Sequence, residues 1–149
     1  MILDQLLPGR ALRRSMLILV VSFAAFFASG AESGVFFKVS GTCSGGGQLC
    51  DTTAKFLHDI PDPGGEGLAQ FTPGPLTCSS FRVHFFVDGK EKVVTDFVGP
   101  GGSTAFVSLG ILTPGSHKFG VQAEGEVGGC NVGTLASWAG TVEHMKAGP

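Results

Sequence analysis

Three tight turns between Phe81 and Glu124 restrict this chain more than any other feature. Asp88-Gly89 stands between two runs rich in Val and Phe. A two-residue hairpin loop of type I′ needs positive φ at both central positions, and Asp-Gly supplies it. Gly99-Pro100-Gly101-Gly102 marks the next turn and Thr113-Pro114-Gly115-Ser116 the third, with Pro presetting φ and Gly accepting its positive range. A chain that reverses this often, with short apolar runs between reversals, can only stack strands side by side.

The runs themselves have period two. Phe81, Val83, Phe85 and Val87 share one face of a strand, and Arg82, His84 and Phe86 share the other. After Pro114-Gly115, the set His117, Phe119, Val121 and Ala123 alternates with Lys118, Gln122 and Glu124. Val35 to Val39 reads as a first strand, with Val35, Phe37 and Val39 opposite Phe36 and Lys38. A last strand is expected over Leu135 to His144, with Ala136, Trp138 and Val142 on the core side, and Met145 to Pro149 as a frayed tail. Thr52 to Leu57 and Leu68 to Thr72 are expected to form shorter elements. Asp59 to Gly67 is expected to be a loop, because it holds two prolines and three glycines. Seven or eight strands with no helical period predict an all-β, antiparallel sandwich.

The N-terminal stretch reads differently. Arg10, Arg13 and Arg14 precede a 12-residue apolar run, Met16 to Phe27, and then small residues from Ala28 to Ala31. That order predicts a secretory signal peptide over 1–31, and the run is shorter than the roughly 20 residues a spanning helix needs. The competing expectation is a retained N-terminal anchor. Residues 32–149, about 118 in number, suit a single domain. They carry seven Lys/Arg against eleven Asp/Glu, a net charge of about −4, with no basic cluster, so nucleic acid is not expected as a partner.

Export gives the cysteines a meaning. Cys43, Cys50, Cys78 and Cys130 all lie in the mature part, where an oxidising compartment favours two disulfides over free thiols. Three connectivities are open. The pairing expected is Cys43–Cys50, across the flexible Ser44-Gly45-Gly46-Gly47, with Cys78–Cys130. No C-x2-C spacing supports zinc.

The turns carry a resemblance. Val87-Asp88-Gly89, Pro100-Gly101-Gly102-Ser103-Thr104 and Leu112-Thr113-Pro114-Gly115-Ser116-His117 resemble a bacterial immunoglobulin-like or fibronectin-III-like repeat over roughly 81–124. The resemblance implies an immunoglobulin-like sandwich and brings no active site with it. The cysteine-bearing N-terminal segment and the solitary state depart from such repeats.

Candidate functional residues are few. Phe36, and Phe86 with Arg82 and His84, fall opposite the main apolar sets and would make an aromatic–cationic binding patch. Asp59, Asp62 and Glu66 place three carboxylates on a Gly/Pro-rich stretch, the donor type a calcium ion takes. His58, His84, His117 and His144 have no ligand-like local spacing and are expected apart, on different strands and faces. Trp138 alternates with core residues. No Gly-x-Ser-x-Gly elbow accompanies Ser44. The function expected is a non-catalytic, secreted or periplasmic binding module for protein or glycan, without a cofactor. The rivals are a carbohydrate-binding or calcium-dependent lectin-like module, and a small secreted hydrolase or metal-handling protein. Two histidines converging beside a carboxylate would favour the last.

Overall fold

The computed structural model describes residues 34–43, 49–50, 53–127 and 137–147. These hold eight strands: β1 (Val35–Thr42), β2 (Ala54–Ile60), β3 (Gly65–Pro73), β4 (Phe81–Val87), β5 (Lys90–Val94), β6 (Val107–Leu112), β7 (Gly115–Gly125) and β8 (Ser137–Ala147). They form two four-stranded antiparallel sheets, one in the order β1-β8-β3-β6 and the other β2-β7-β4-β5. The chain is thus an all-β sandwich, as its alternation required. Its first and last strands are neighbours in one sheet.

The core follows from the period of two. Along β4, Phe81, Val83, Phe85 and Val87 are buried, while Arg82, His84 and Phe86 are only partly so. β7 lies beside it in register, Phe85 opposite Val121 and Val83 opposite Ala123, so their inward side chains form one apolar layer. The facing layer comes from Val39, Ala69, Phe71, Trp138 and Val142 of the first sheet. Phe71 meets Phe81 and Trp138 edge-on, at ring centroid distances of 5.5 and 6.2 Å.

The turns take the expected forms. Asp88 and Gly89 both have positive φ, 52° and 81°. At Gly99–Gly102 the Gly102 N–H donates to the Gly99 carbonyl at 3.1 Å and Gly101 takes φ 74°. Pro100 and Gly101 thereby occupy the central positions of a type II turn.

Four sequence expectations give way here. Asp59 to Gly67 is not a loop: β2 continues to Ile60, the reversal is confined to Pro61–Gly64, and β3 begins at Gly65. Its strand glycines stand where neighbours crowd the backbone. A Cβ at Gly67 would come 2.6 Å from Leu112 Cδ1, and one at Gly65 would come 2.9 Å from the Ala147 carbonyl oxygen. The short element expected over Thr52 to Leu57 is instead Ala54–Ile60, all strand. β1 runs past Gly41 to Thr42. Of the tail expected over Met145 to Pro149, Met145 to Ala147 belong to β8, and 148–149 lie outside the described residues. Met145, Lys146 and Ala147 pair with Leu68, Gly67 and Glu66 of β3, while the β1 pairing of β8 ends at His144.

Cys43 and Cys50 are bridged, with Cα atoms 4.5 Å apart. Cys78 is also disulfide-bonded, and Cys130 lies outside the described residues, as does the segment 1–31. Bridged cysteines fit an oxidising environment. Among the described residues, no helix is long and apolar enough to cross a membrane.

Candidate functional site

The outward face of the second sheet collects the polar side chains of β4 and β7. Arg82 and Glu124 are opposite one another in register and make a two-pronged contact: Arg82 Nε donates to Glu124 Oε2 at 2.8 Å and a terminal guanidinium nitrogen donates to Oε1 at 3.0 Å. The Arg82 guanidinium also lies 5.0 Å from the Phe97 ring centroid. His84 continues the chain of contacts, with Nε2 at 2.9 Å from Glu124 Oε2 and Nδ1 at 2.9 Å from Glu91 Oε2. The hydrogen bond from Arg82, reinforced by that of His84, holds the Glu124 carboxyl below its usual range, while the bond to Glu124 raises Arg82. Each cation here already has its carboxylate.

Phe36 does not join this patch. It is 65% exposed on β1, whereas Phe86 is on β4, and the two strands belong to different sheets. The expected set Phe36, Arg82, His84 and Phe86 is therefore divided, since strand alternation says which side of a strand a residue takes but not which sheet the strand enters.

Phe86 turns instead toward a groove of about 250 Å³, lined by Thr53, Lys55, Phe86, Gly89, Lys118, Phe119 and Gly120. Its cause is one missing side chain. Gly120 on β7 is paired with Lys55 of β2 on one side and Phe86 of β4 on the other. A Cβ at Gly120 would come 3.0 Å from Thr53 Cγ2 and 3.2 Å from Phe86 Cβ, so any side chain there would fill the trough. Lys55 and Lys118 are both exposed at its rim, and among the described residues neither is in a salt bridge. The arrangement offers an aromatic surface beside two solvated ammonium groups. Sequence reasoning missed Thr53, Lys55, Lys118 and Gly120. The signal was present, since an isolated glycine inside a strand, as in Phe119-Gly120-Val121, points to close approach or open space.

The carboxylates Asp59, Asp62 and Glu66 are not assembled into a calcium site. Asp59 lies on β2, Asp62 in the turn, and Glu66 on β3, where it accepts a hydrogen bond from Ser108 Oγ at 2.7 Å. Among the described residues, no group of three or more His, Cys, Asp or Glu is placed to hold a metal ion. What read as one flexible acidic loop is two strand ends, and a strand alternates its side chains instead of converging them.

The histidines are not all apart. His84 and His117 each face a carboxylate; His117 Nδ1 is 2.7 Å from Asp88 Oδ2, and its Nε2 is 2.9 Å from the Thr113 carbonyl oxygen. Both contacts raise the His117 pKa, Asp88 more than Thr113. His58 and His144 sit on opposite sheets, but both point inward and meet, with ring centroids 5.0 Å apart. His144 is 1% exposed, and among the described residues neither of its ring nitrogens has a hydrogen-bond partner. Burial first, and His58 second, push its pKa down to about 4. Leaving such polar atoms unpaired costs roughly 1–3 kcal/mol each. Sequence could not foresee this meeting, because it depends on how the two sheets stack.

Among solved structures, the chain is similar to a cycloisomaltooligosaccharide glucanotransferase of Paenibacillus sp. in complex with cycloisomaltoheptaose, at 15% identity and a TM-score of 0.36. The match spans 81% of this chain and 17% of that one, so this chain corresponds to a small fraction of that protein's length. No protein-family model matches the sequence, and no curated protein does.

Proposed function

We propose that this chain is an exported, non-catalytic binding module that takes a negatively charged saccharide in the groove over Gly120. The observation that carries the reading is the groove itself: an aromatic side chain, Phe86, flanked by the ammonium groups of Lys55 and Lys118, which among the described residues are in no salt bridge. The apolar face of a pyranose ring packs against an aromatic ring, and the lysines attract a ring carboxylate or sulfate. The volume lies just below the roughly 300 Å³ at which drug-sized pockets begin, which suits one sugar unit of a longer chain. Export rests on the basic and apolar order of residues 10–31 and on the bridged cysteines. The non-catalytic reading is supported by the polar chemistry of this face. Arg82, His84 and Glu124 are engaged with one another and not aimed into the groove. An immunoglobulin-like kinship fits the middle of the chain, where β3-β6 in one sheet and β7-β4-β5 in the other keep the order of the B-E and F-C-C′ strands.

Titration calorimetry with an oligogalacturonate and with a neutral oligosaccharide of equal length tests the reading. The acidic ligand should bind, its affinity should fall with added salt, and Phe86→Ala and Lys118→Glu should each weaken it. Equal affinity for the neutral chain, or no effect of either substitution, overturns the assignment of this groove. Capture of a protein ligand at the same residues would overturn the saccharide.

A further inference from the structure

We propose that β1 is the contact surface for a second copy of this chain, the two β1 strands pairing antiparallel across a twofold axis. The inference does not rest on the groove, which lies on the other sheet. β1 is an outer strand, and among the described residues its free edge pairs with no other strand. An open strand edge is a template for another strand. The other outer strands are better protected. β5 is five residues long and carries exposed Lys90, Glu91 and Lys92. β6 is interrupted by a register shift against β3 and by Gly110 at φ 83°. β2 carries exposed Lys55 and Asp59. The eight residues of β1 pair with β8 without a shift, Lys38 is their one charge, and Val35 and Phe36 are 41% and 65% exposed.

The sequence of β1 selects the register. The axis must pass through a residue and not between two, or inward side chains of one copy would meet outward ones of the other. Centring on Lys38 opposes two ammonium groups, and centring on Phe36 shortens the ladder and leaves Lys38 opposite Gly34. Centring on Val39 sets Phe36 against Thr42. Centring on Phe37 places Phe36 opposite Lys38 of the second copy, and Lys38 opposite its Phe36, as aromatic–cation pairs. On the inward side Val35 then meets Val39, and Phe37 meets its own copy beside the ring of Phe56, on which it stacks at 4.0 Å. Glu143 completes the match, since it pairs with Phe36 on β8, and among the described residues neither it nor Lys38 is in a salt bridge. Lys38 of the second copy is two strands from Glu143, roughly 10 Å between backbones, a gap the two side chains span across the Phe36 ring. The twofold axis makes every one of these contacts twice.

The test is sedimentation equilibrium of the purified protein over rising concentration, joined to disulfide trapping. The expected result is a reversible monomer–dimer equilibrium. Lys38→Glu should weaken the dimer by roughly tenfold or more, because it brings a carboxylate against Glu143, and Lys38→Glu with Glu143→Lys should recover much of the loss. Both positions face solvent or are only half-buried, and thermal melting checks that each variant is folded. Phe36→Cys mixed with Lys38→Cys should cross-link on oxidation, since those positions are opposite. Either variant alone should stay monomeric on a denaturing gel, because like positions are diagonal, about 7–8 Å apart, beyond easy disulfide reach. A protein that remains monomeric up to about 1 mM overturns the proposal, as does a dimer unchanged by Lys38→Glu. Cross-linking of either cysteine variant alone as efficiently as the mixture overturns the register.

Discussion

Replacing Asp88 with alanine should reduce stability by about 2–3 kcal/mol, because one small side chain does three things at the β4–β5 turn. Asp88 sits at φ 52°, where aspartate is tolerated and alanine costs about 1 kcal/mol. Its Oδ1 accepts the Lys118 backbone N–H at 2.9 Å, a hydrogen bond to a charged group with a net value of about 1.5 kcal/mol. Its Oδ2 faces His117 Nδ1 at 2.7 Å. Asp88 is 53% exposed, so solvent screening limits that pair to about 0.5 kcal/mol. Chemical denaturation of Asp88→Ala, Asp88→Asn and wild type separates these parts. Asparagine keeps the left-handed tolerance and an acceptor for Lys118, so its loss should stay at about 1 kcal/mol or below.

The pH dependence supplies the sign. Asp88 is held below its ordinary pKa, first by the Lys118 N–H and then by His117. Its stabilising share is therefore complete above the unfolded aspartate value and lost as pH falls through the lower folded value. His117 is raised by Asp88, so its share is complete below about pH 6.5 and lost as pH rises through the higher folded value. A double-mutant cycle of Asp88→Asn with His117→Phe should show coupling near pH 5.5 that shrinks as the pH rises toward 9. Equal losses for Asp88→Ala and Asp88→Asn, or a coupling unchanged between those pH values, would refute the reasoning.

Gly140→Ala should cost about 2–3 kcal/mol in thermal unfolding, because the added methyl enters the Phe71 ring and lies 2.5 Å from the Thr72 carbonyl oxygen, a backbone atom that cannot swing aside. Replacing both Cys43 and Cys50 by alanine should cost about 2.5 kcal/mol under the chain-entropy account of so short a loop, and a melting curve unchanged by the substitutions would count against it. Glu124→Gln should destabilise by about 1–2 kcal/mol at neutral pH, because it removes the carboxylate shared by Arg82 and His84. Glu124's folded pKa is depressed, so its share is present above the ordinary glutamate value and lost as pH falls through the lower folded one. Acid titration of the glutamine variant should consequently show a shallower loss of stability than wild type.

Much of the fold was legible because its determinants are local. The positive φ of Asp88 and Gly89 follows from residue type at two adjacent positions, and the buried side of β4 follows from alternation alone. Where composition misled, packing was the cause. Gly65 and Gly67 read as loop residues, yet they occupy a central strand whose neighbours leave no room for a Cβ. Met145 to Ala147 read as a tail, yet β3 pairs with them.

By itself, then, the sequence determined an antiparallel all-β chain of seven or eight strands, the turn at Asp88-Gly89 and the inward face of the well-patterned strands, and it left Cys43–Cys50 as one of three open connectivities. Each depends on conformational preference or solvent exposure within a few residues. Only the tertiary structure decided that β1 joins β8 while β2 joins β7, and every functional arrangement depends on that choice. It parted Phe36 from Phe86, opened the groove over Gly120 between Lys55 and Phe86, and brought His58 against His144. The physical reason is that strand pairing and sheet stacking are set by the summed burial and hydrogen bonding of residues far apart in the chain. A period of two says which way a side chain points and is silent on what it will meet.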